Sequence, residues 1–301
     1  FQSAILYPPN ILFLILPVTK AINFSIALHV LLIGFFMYLW TSYRNLHPLA
    51  CLSSSVMLMF SGSYFLHIYA GHLSNLCTVA WIPLVFLCVD RLFDERSLKW
   101  CLIGIFALTM FILAGHPQYV YYAALVIMIY SVLRLMKAEK RFGIIVSLAA
   151  VCSGSLLLSA VQVFSGLDAA GESVRSAASY LYTARFSLPP ENIITLLVPD
   201  FFGDVVNMSY WGRFFLWEMS LFIGVTGISM AIYGALYGER QKRHFSLTLV
   251  IILLVLALGA HTPLARILYH WLPGFDNFRG ASKFIPLLAV FLVMLAGIGL
   301  D

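Results

Sequence analysis

Long uninterrupted runs of apolar residues are the feature that most constrains what this chain can fold into. A helix needs about 20 apolar residues to cross the hydrocarbon core of a bilayer, and only helices or closed barrels satisfy their backbone there. Because the runs are continuous and do not alternate with polar residues, we expect helices. We predict nine membrane-spanning helices, at 21–42, 48–70, 75–92, 98–115, 117–136, 142–163, 216–237, 245–260 and 284–300.

The composition supports a membrane protein. Hydrophobic residues make up 61% and charged residues 10% of the 301 positions, whereas soluble proteins have roughly 45–50% and 25%. No globule of this size could bury so much apolar surface, which excludes a soluble enzyme, a secreted disulfide scaffold and a disordered chain. The five cysteines lie within apolar runs without metal-like spacing, and we interpret them as small core residues.

The charges of the connections predict an orientation. The short connections 71–76 and 115–118 contain neither Lys nor Arg, whereas those of the opposite face are strongly basic. The basic residues of that face are Arg44, Arg91, Arg96, Lys99, Arg134, Lys137, Lys140, Arg141, Arg240, Lys242 and Arg243. Since basic short loops remain in the cytoplasm, we expect the two long connections, 164–215 and 261–283, to face outward. The net charge of +5 therefore indicates orientation and not nucleic-acid binding.

Each long connection contains the pattern of a short amphipathic helix. The stretch 187–203 has two prolines suited to a first helical turn and a stop at Pro199, with apolar residues at helical spacing between them. The stretch 262–274 starts with Thr262-Pro263 and ends with Pro273-Gly274. We expect both helices to lie in the plane of the membrane surface.

Histidines occur at two predicted outward helix ends. The tripeptide Ala-Gly-His ends at His72 and again at His116, which is followed closely by Gln118. These side chains could donate hydrogen bonds or bind a metal over a common cavity, although histidines in tight interfacial turns would give the same pattern. His29, deep in the first predicted span, is compatible with a core residue satisfied by its neighbours.

Three charged residues lie next to predicted spans. Glu218 stands at the mouth of one, where an ionisable group usually has a function, and a carboxylate there can exchange protons. An ion pair with Arg213, five positions back, or with another loop base is the structural alternative. Arg279 and Lys283 lie four residues apart before the last span. Two cations on one helical face suit the phosphate of a lipid carrier, although snorkelling interfacial cations would have the same spacing.

The remaining candidates are aromatic or acidic. Trp211 belongs to a cluster at 210–217 that fits either an interfacial aromatic belt or a surface on which sugar rings stack. Asp200 and Asp204 flank Gly203 and could contact a divalent cation. Two carboxylates are too few ligands for a defined site, so we assign no metal site and no certain cofactor.

An ordered series of short motifs extends along the chain. Its members are Tyr7-Pro8-Pro9-Asn10, Gly71-His72, Trp81-Ile82-Pro83-Leu84, Ala114-Gly115-His116-Pro117-Gln118, Leu188-Pro189-Pro190-Glu191-Asn192, Pro199-Asp200-Phe201-Phe202-Gly203, Tyr210-Trp211-Gly212, Trp217-Glu218, Thr262-Pro263-Leu264, Leu272-Pro273-Gly274-Phe275 and Phe278-Arg279. In this order and spacing the chain resembles the YfhO family of bacterial polytopic membrane proteins.

The resemblance implies a membrane glycosyltransferase of the GT-C type. Such enzymes transfer a sugar from a polyprenyl-phosphate carrier to an acceptor outside the cytoplasmic membrane, here lipoteichoic acid or a related cell-envelope polymer. Their catalytic acid lies in the first outward loop, after the first transmembrane helix. We expect the sequence, which starts at Phe1, to begin just past that point. We therefore expect 1–301 to be a single polytopic domain without that helix and loop, and inactive alone.

The orientation from loop charge places His72, His116, Glu218 and Arg279 on the outward side, where the chemistry implied by the resemblance takes place, and we predict roles for the candidates on that basis. Glu218 and His116 are predicted to be catalytic, and the predicted substrate-binding residues are His72, Gln118, Trp211, Arg279 and Lys283. The expected partners are the sugar donor, the envelope acceptor and membrane lipid, without nucleic acid. A multi-pass transporter or lipid flippase without chemistry is the alternative function, and a non-enzymatic assembly subunit is a third interpretation.

Overall fold

The computed structural model describes residues 4–139, 141–171, 179–204 and 206–301. Lys140, which contributes to the basic pattern, lies outside these ranges. Within them the chain forms α-helices and short 3-10 helices, and no strand. The α-helices are α1 Leu12–Ile15, α2 Val18–Tyr43, α3 Pro48–Met59, α4 Gly62–Tyr69, α5 Leu73–Val79, α6 Ile82–Asp94, α7 Leu98–Leu113, α8 Pro117–Leu135, α9 Arg141–Leu158, α10 Ala160–Gly171, α11 Tyr180–Ala184, α12 Leu216–Met219, α13 Val225–Tyr237, α14 Arg240–Leu258, α15 Pro263–Trp271 and α16 Ile285–Leu300.

Seven helical segments of the described chain are long and apolar enough to cross a membrane. They are Val18–Tyr43, Pro48–Tyr69, Leu73–Asp94, Pro117–Leu135, Arg141–Leu158, Arg240–His261 and Ala281–Leu300. Each corresponds to one of the nine predicted spans. The prediction of an all-α, multi-pass membrane protein is therefore confirmed, while nine spans and a GT-C architecture stay predictions.

The two other predicted spans are shorter helices. The run at 98–115 forms α7, which has 16 residues. The predicted span 216–237 is wrong in its first half, because Leu216–Met219 forms a separate helix and α13 starts only at Val225. Gly224, with a φ of 92°, precedes α13 and interrupts the helix that continuous hydropathy predicted.

Both long connections contain short helices. The stretch predicted over 187–203 winds as a 3-10 helix only at Pro190–Leu196. The second is α15, which has Thr262 at its N-cap and Pro263 in its first turn, as expected from the sequence.

Tertiary contacts divide the chain into two compact units. The first unit comprises 1–43 and 72–169, and the second comprises 44–71 and 170–301. In the first unit, α5 and α6 form the most buried apolar segment, and α6 packs against α2, α7 and α9. In the second unit, α16 is buried among α3, α13 and α14. Each unit is thus built around one central apolar helix, and the prediction of a single polytopic domain stays a prediction.

Glycine allows α13 and α16 to approach closely. A Cβ at Gly234 would lie 2.2 Å from the carbonyl oxygen of Leu295, and one at Gly299 would lie 2.0 Å from that of Met230. Small residues at helix crossings bring backbones into van der Waals contact, which stabilises helix pairs in membranes.

We expect Gly234→Ala to lower the free energy of unfolding by about 1–3 kcal/mol, because the new methyl group forces the two backbones apart. The measurement is unfolding of the purified protein in detergent. Gly143→Ala on α9 is the matched control, since its methyl group would meet only the flexible Arg96 guanidinium, at 3.2 Å. Equal destabilisation by the two substitutions would contradict the close helix contact.

A buried carboxylate links three helices of the first unit. Asp90 on α6 is fully buried and accepts a hydrogen bond from Trp40 Nε1 of α2 at 2.7 Å. Tyr130 and Arg134 of α8 also donate to its carboxylate. Arg134 extends to Asp94 at 3.0 Å, so the cluster joins the ends of α2, α6 and α8. The charge analysis did not single out Asp90, although a carboxylate inside an apolar helix is itself a signal of a specific role.

Candidate functional site

An ion pair in the second unit joins two of the predicted site residues. Lys283 Nζ lies 2.8 Å from Glu218 Oε1, and the side chains are only 10% and 13% exposed. Glu218 is on α12, and Lys283 is on the 3-10 turn Ala281–Phe284 that leads into α16. Both residues were predicted from the sequence to belong to the site, but not as a pair. A charge pair so little exposed to water has a large desolvation penalty, which singles it out among the ion pairs of this unit.

The segment after Glu218 packs against a broken helix. The membrane-length segment Pro48–Tyr69 is interrupted between α3 and α4, where the Ser61 hydroxyl donates to the Leu58 carbonyl oxygen. The amide of Gly62, at the start of α4, donates to the Phe222 carbonyl oxygen at 2.8 Å. Non-helical backbone is tolerated among apolar helices when its polar groups are satisfied within the protein. The break therefore provides a donor for the non-helical stretch that follows α12.

Thr195 anchors the same stretch from the other side. Its hydroxyl accepts a hydrogen bond from the Leu221 amide at 3.3 Å and donates to the Asn192 carbonyl oxygen at 2.7 Å. Asn192 and Thr195 belong to the 3-10 helix Pro190–Leu196. The position of α12, and with it Glu218, is thus fixed by backbone hydrogen bonds to two separate parts of the second unit.

Arg279 and Lys283 do not share a helical face, contrary to the prediction. Gly280 between them has a φ of 89°, so the 3-10 turn carrying Lys283 begins only after Arg279. The Arg279 guanidinium lies over the rings of Tyr182 and Phe186, 5.4 and 5.1 Å from their centroids. Cation–π contacts of this kind hold a guanidinium in place, so Arg279 is directed toward aromatic rings.

Stacked aromatic rings lead from Arg279 to the neighbour of Glu218. Phe186 stacks on Phe215 with centroids 5.5 Å apart, and Phe215 stacks on Trp217 at 4.9 Å. We call Phe186, Phe215 and Trp217 the aromatic ladder. Phe215 is 44% exposed, so the ladder has an accessible edge. Sequence analysis assigned 210–217 to an aromatic cluster but had no signal for Phe186, which comes from a distant part of the chain.

Backbone strain coincides with the ladder. Phe186 has a φ of 59° and Phe214 a φ of 65°, and their rings are in contact at 5.0 Å. A positive φ is unfavourable for a bulky residue and persists only where the surrounding structure enforces it. Strained residues concentrate at functional sites, so this region is a candidate site on geometry as well as on charge.

Arg213 and Trp211 occupy more exposed positions. Arg213 pairs with Glu191 at 2.9 Å and not with Glu218. Glu218 is instead paired with another loop base, Lys283, as the structural alternative allowed. The Trp211 amide donates to the Phe202 carbonyl oxygen at 2.8 Å, and its ring packs edge-on against Phe202. Its side chain remains 62% exposed, as an interfacial or sugar-stacking residue would be.

Asp204 organises its own loop. Its carboxylate accepts hydrogen bonds from the backbone amides of Val206, Asn207 and Met208, which hold the pKa of Asp204 well below its usual value. Its oxygens are therefore occupied by its own loop. Within the described ranges, His, Cys, Asp and Glu side chains form no group of three or more that could hold a metal ion.

The predicted histidines belong to the first unit and precede helices. His72 is the N-cap residue of α5 and His116 that of α8, where its Nδ1 accepts from the Tyr119 amide at 3.4 Å. Each follows a left-handed glycine, with φ of 70° at Gly71 and 94° at Gly115. Each Ala-Gly-His tripeptide thus marks the start of a helix, which explains why the tripeptide occurs twice in the sequence.

Gln118 and His29, two other residues considered from the sequence, form hydrogen bonds within the first unit. Gln118 is hydrogen-bonded to the Tyr122 hydroxyl. The Tyr7 hydroxyl lies 2.6 Å from His29 Nε2 and accepts a hydrogen bond from Trp81 Nε1 at 2.8 Å. The other ring nitrogen of His29, Nδ1, is hydrogen-bonded to the Ser25 carbonyl oxygen. His29 is therefore a satisfied core residue. The catalytic role of His116 and the substrate-binding roles of His72 and Gln118 stay predictions.

No protein-family model, no curated protein and no solved structure matches this chain. The resemblance to the YfhO family therefore rests on the ordered short motifs. The chemistry of the Glu218–Lys283 pair and of the aromatic ladder is what supports an assignment of function.

Proposed function

We propose that this protein is a GT-C type membrane glycosyltransferase of the bacterial cytoplasmic membrane. It moves a sugar from a polyprenyl-phosphate carrier to an outward-facing cell-envelope acceptor such as a lipoteichoic-acid-like polymer. The observation that carries the proposal is the nearly buried Glu218–Lys283 pair, which combines a proton acceptor with a cation suited to phosphate. Nine spans and the outward orientation from loop charge are part of this proposal.

The proposed reaction uses both members of the pair. An acceptor hydroxyl oxygen forms a bond to the anomeric carbon, the bond from that carbon to the carrier phosphate oxygen breaks, and the hydroxyl proton leaves to a base. The departing phosphate retains the bonding electrons and gains negative charge, which the Lys283 ammonium stabilises. As phosphate engages Lys283, the Glu218 carboxylate is released to orient the hydroxyl and receive its proton.

The aromatic ladder supports a sugar substrate. Stacked rings with an accessible edge at Phe215 offer an apolar face to the C–H groups of a sugar ring. Arg279, held over Phe186 at one end of the ladder, adds a second cation suited to a phosphate group. Strained backbone at Phe186 and Phe214 is further support for a functional role.

The test is transfer of label in membranes that contain the full-length protein. With a radiolabelled polyprenyl-phosphate sugar we expect label to pass into an envelope acceptor, whereas a labelled nucleotide sugar is expected to give none because the proposed site faces away from the cytoplasm. Membranes without the protein are the control. Equal transfer with and without the protein would contradict the proposal.

A transporter or lipid flippase is the second candidate, and the broken helix favours it. Interrupted membrane helices that expose backbone groups are typical of transporter binding sites, and Pro48–Tyr69 is interrupted before Gly62. Purified protein in liposomes separates the two functions. A transporter would move the labelled carrier across the bilayer intact, whereas the transferase breaks the bond between sugar and phosphate when acceptor is present.

A further inference from the structure

The first unit contains an apolar cleft that the proposed reaction does not use. The cleft has a volume of about 400 Å³ and lies between α6, α7, α8 and α9. Its walls include Leu92, Phe111, Met128, Ile145 and Ala149, and no charged side chain of the described residues lines it. The volume is within the range of ligand pockets, roughly 300–1,000 Å³. The cleft is therefore suited to a hydrocarbon group.

One side of the cleft is open. Met128 and Val132 on α8, and Ile145 on α9, line it and are each about half exposed. Both α8 and α9 are long and apolar enough to cross a membrane, so this opening faces the lipid hydrocarbon and not water. A flexible acyl chain from the bilayer can enter from the side, and each CH₂ group that it buries adds to the binding affinity.

Two exposed cations lie near one end of the cleft. Leu92, Leu135 and Ile145 line that end. Arg96 and Lys99 lie in and just after the connection between α6 and α7, and both side chains are exposed. The Arg96 guanidinium lies 3.2 Å from the position of a Cβ at Gly143, two residues before Ile145 on α9. Positive charge at the end of an apolar cleft matches the headgroup phosphate of an anionic lipid.

We propose that this cleft binds one acyl chain of an anionic phospholipid, whose phosphate contacts Arg96 and Lys99. The shape and hydrophobicity of the cleft select the chain, and the cations select the headgroup charge. The site shares no residue with the Glu218–Lys283 pair, so it does not depend on sugar transfer.

The first test fills the cleft. Ala149→Phe places a ring in the space of the acyl chain, while Ala150→Phe makes the same change at an exposed neighbour outside the cleft. Native mass spectrometry of the full-length protein in detergent, titrated with phosphatidylglycerol, measures binding. We expect Ala149→Phe to weaken binding about tenfold or more, since several CH₂ contacts are lost, and Ala150→Phe to bind as the wild type does. Equal affinity of the two variants would overturn the proposal.

The second test concerns the headgroup and leaves the helices unchanged. Arg96→Gln and Lys99→Gln are surface substitutions, and each is expected to weaken phosphatidylglycerol binding roughly fivefold without affecting phosphatidylcholine, which the wild type binds more weakly. Equal wild-type affinity for the two lipids would exclude recognition of the anionic headgroup. Tighter binding of a polyprenyl phosphate than of phosphatidylglycerol would identify a different lipid and overturn the assignment.

Discussion

Glu218→Gln is expected to reduce sugar transfer by about 10²–10⁴-fold, the usual contribution of a positioned acid–base group. The amide has the size and shape of the carboxylate, and its oxygen can still accept the hydrogen bond from Lys283 that spans 2.8 Å. What it loses is negative charge and the ability to take a proton. The rate of transfer from a labelled polyprenyl-phosphate sugar, normalised to the amount of protein in the membrane, measures the effect.

Glu191→Gln is the matched control for this substitution. Glu191 also forms an ion pair in the second unit, with Arg213, but both side chains are well exposed. Exposed pairs contribute little to stability, so the control is expected to transfer sugar at nearly the wild-type rate. The unfolding temperature of each variant in detergent separates lost chemistry from lost fold. Wild-type transfer by Glu218→Gln would remove Glu218 from the catalytic site.

Asp90→Ala is expected to lower the free energy of unfolding by about 3–5 kcal/mol, since it removes a buried carboxylate that accepts hydrogen bonds from three side chains. Trp40 Nε1 and the Tyr130 hydroxyl would lose their shared acceptor, and Arg134 would retain only Asp94. Because these groups come from α2 and α8, the loss weakens the packing of both helices on α6. Unfolding of the purified protein in detergent is the measurement.

Asp94→Ala provides the comparison for Asp90. Asp94 pairs with the same arginine, but its side chain is 48% exposed. We expect a change of about 0–1 kcal/mol, as for exposed pairs. If both alanine variants were equally stable, Asp90 would be solvated in the folded protein and the buried cluster would not hold the three helices together.

The helical architecture could be predicted because hydropathy is a local property. A run of apolar residues long enough to cross a bilayer satisfies its backbone only as a helix, so Pro48–Tyr69 and Pro117–Leu135 closely match the predicted bounds. Proline placement was equally informative for α15, which starts at Pro263. Local rules failed over 216–237, where apolar residues continue but the chain leaves the helix to hydrogen-bond with Gly62.

The candidate site was only half predictable for the same reason. The sequence identified Glu218 and Lys283 as ionisable groups beside spans. It left the partner of Glu218 open between Arg213 and another loop base, and it predicted a common helix face for Arg279 and Lys283. A contact between residues 65 positions apart depends on how α12 and the turn before α16 pack, which no local pattern encodes. The long-range stacking of Phe186 on Phe215 is of the same kind.

The sequence by itself therefore determined which parts of this protein are helical and apolar, because the conformation of each such segment depends on its own residues and on the solvent around it. Only the tertiary structure decided which charges meet, as in Glu218 with Lys283 and Asp90 with Arg134. A buried charge takes as its partner whichever group the packing of helices brings within reach, and that choice is made in space and not along the chain.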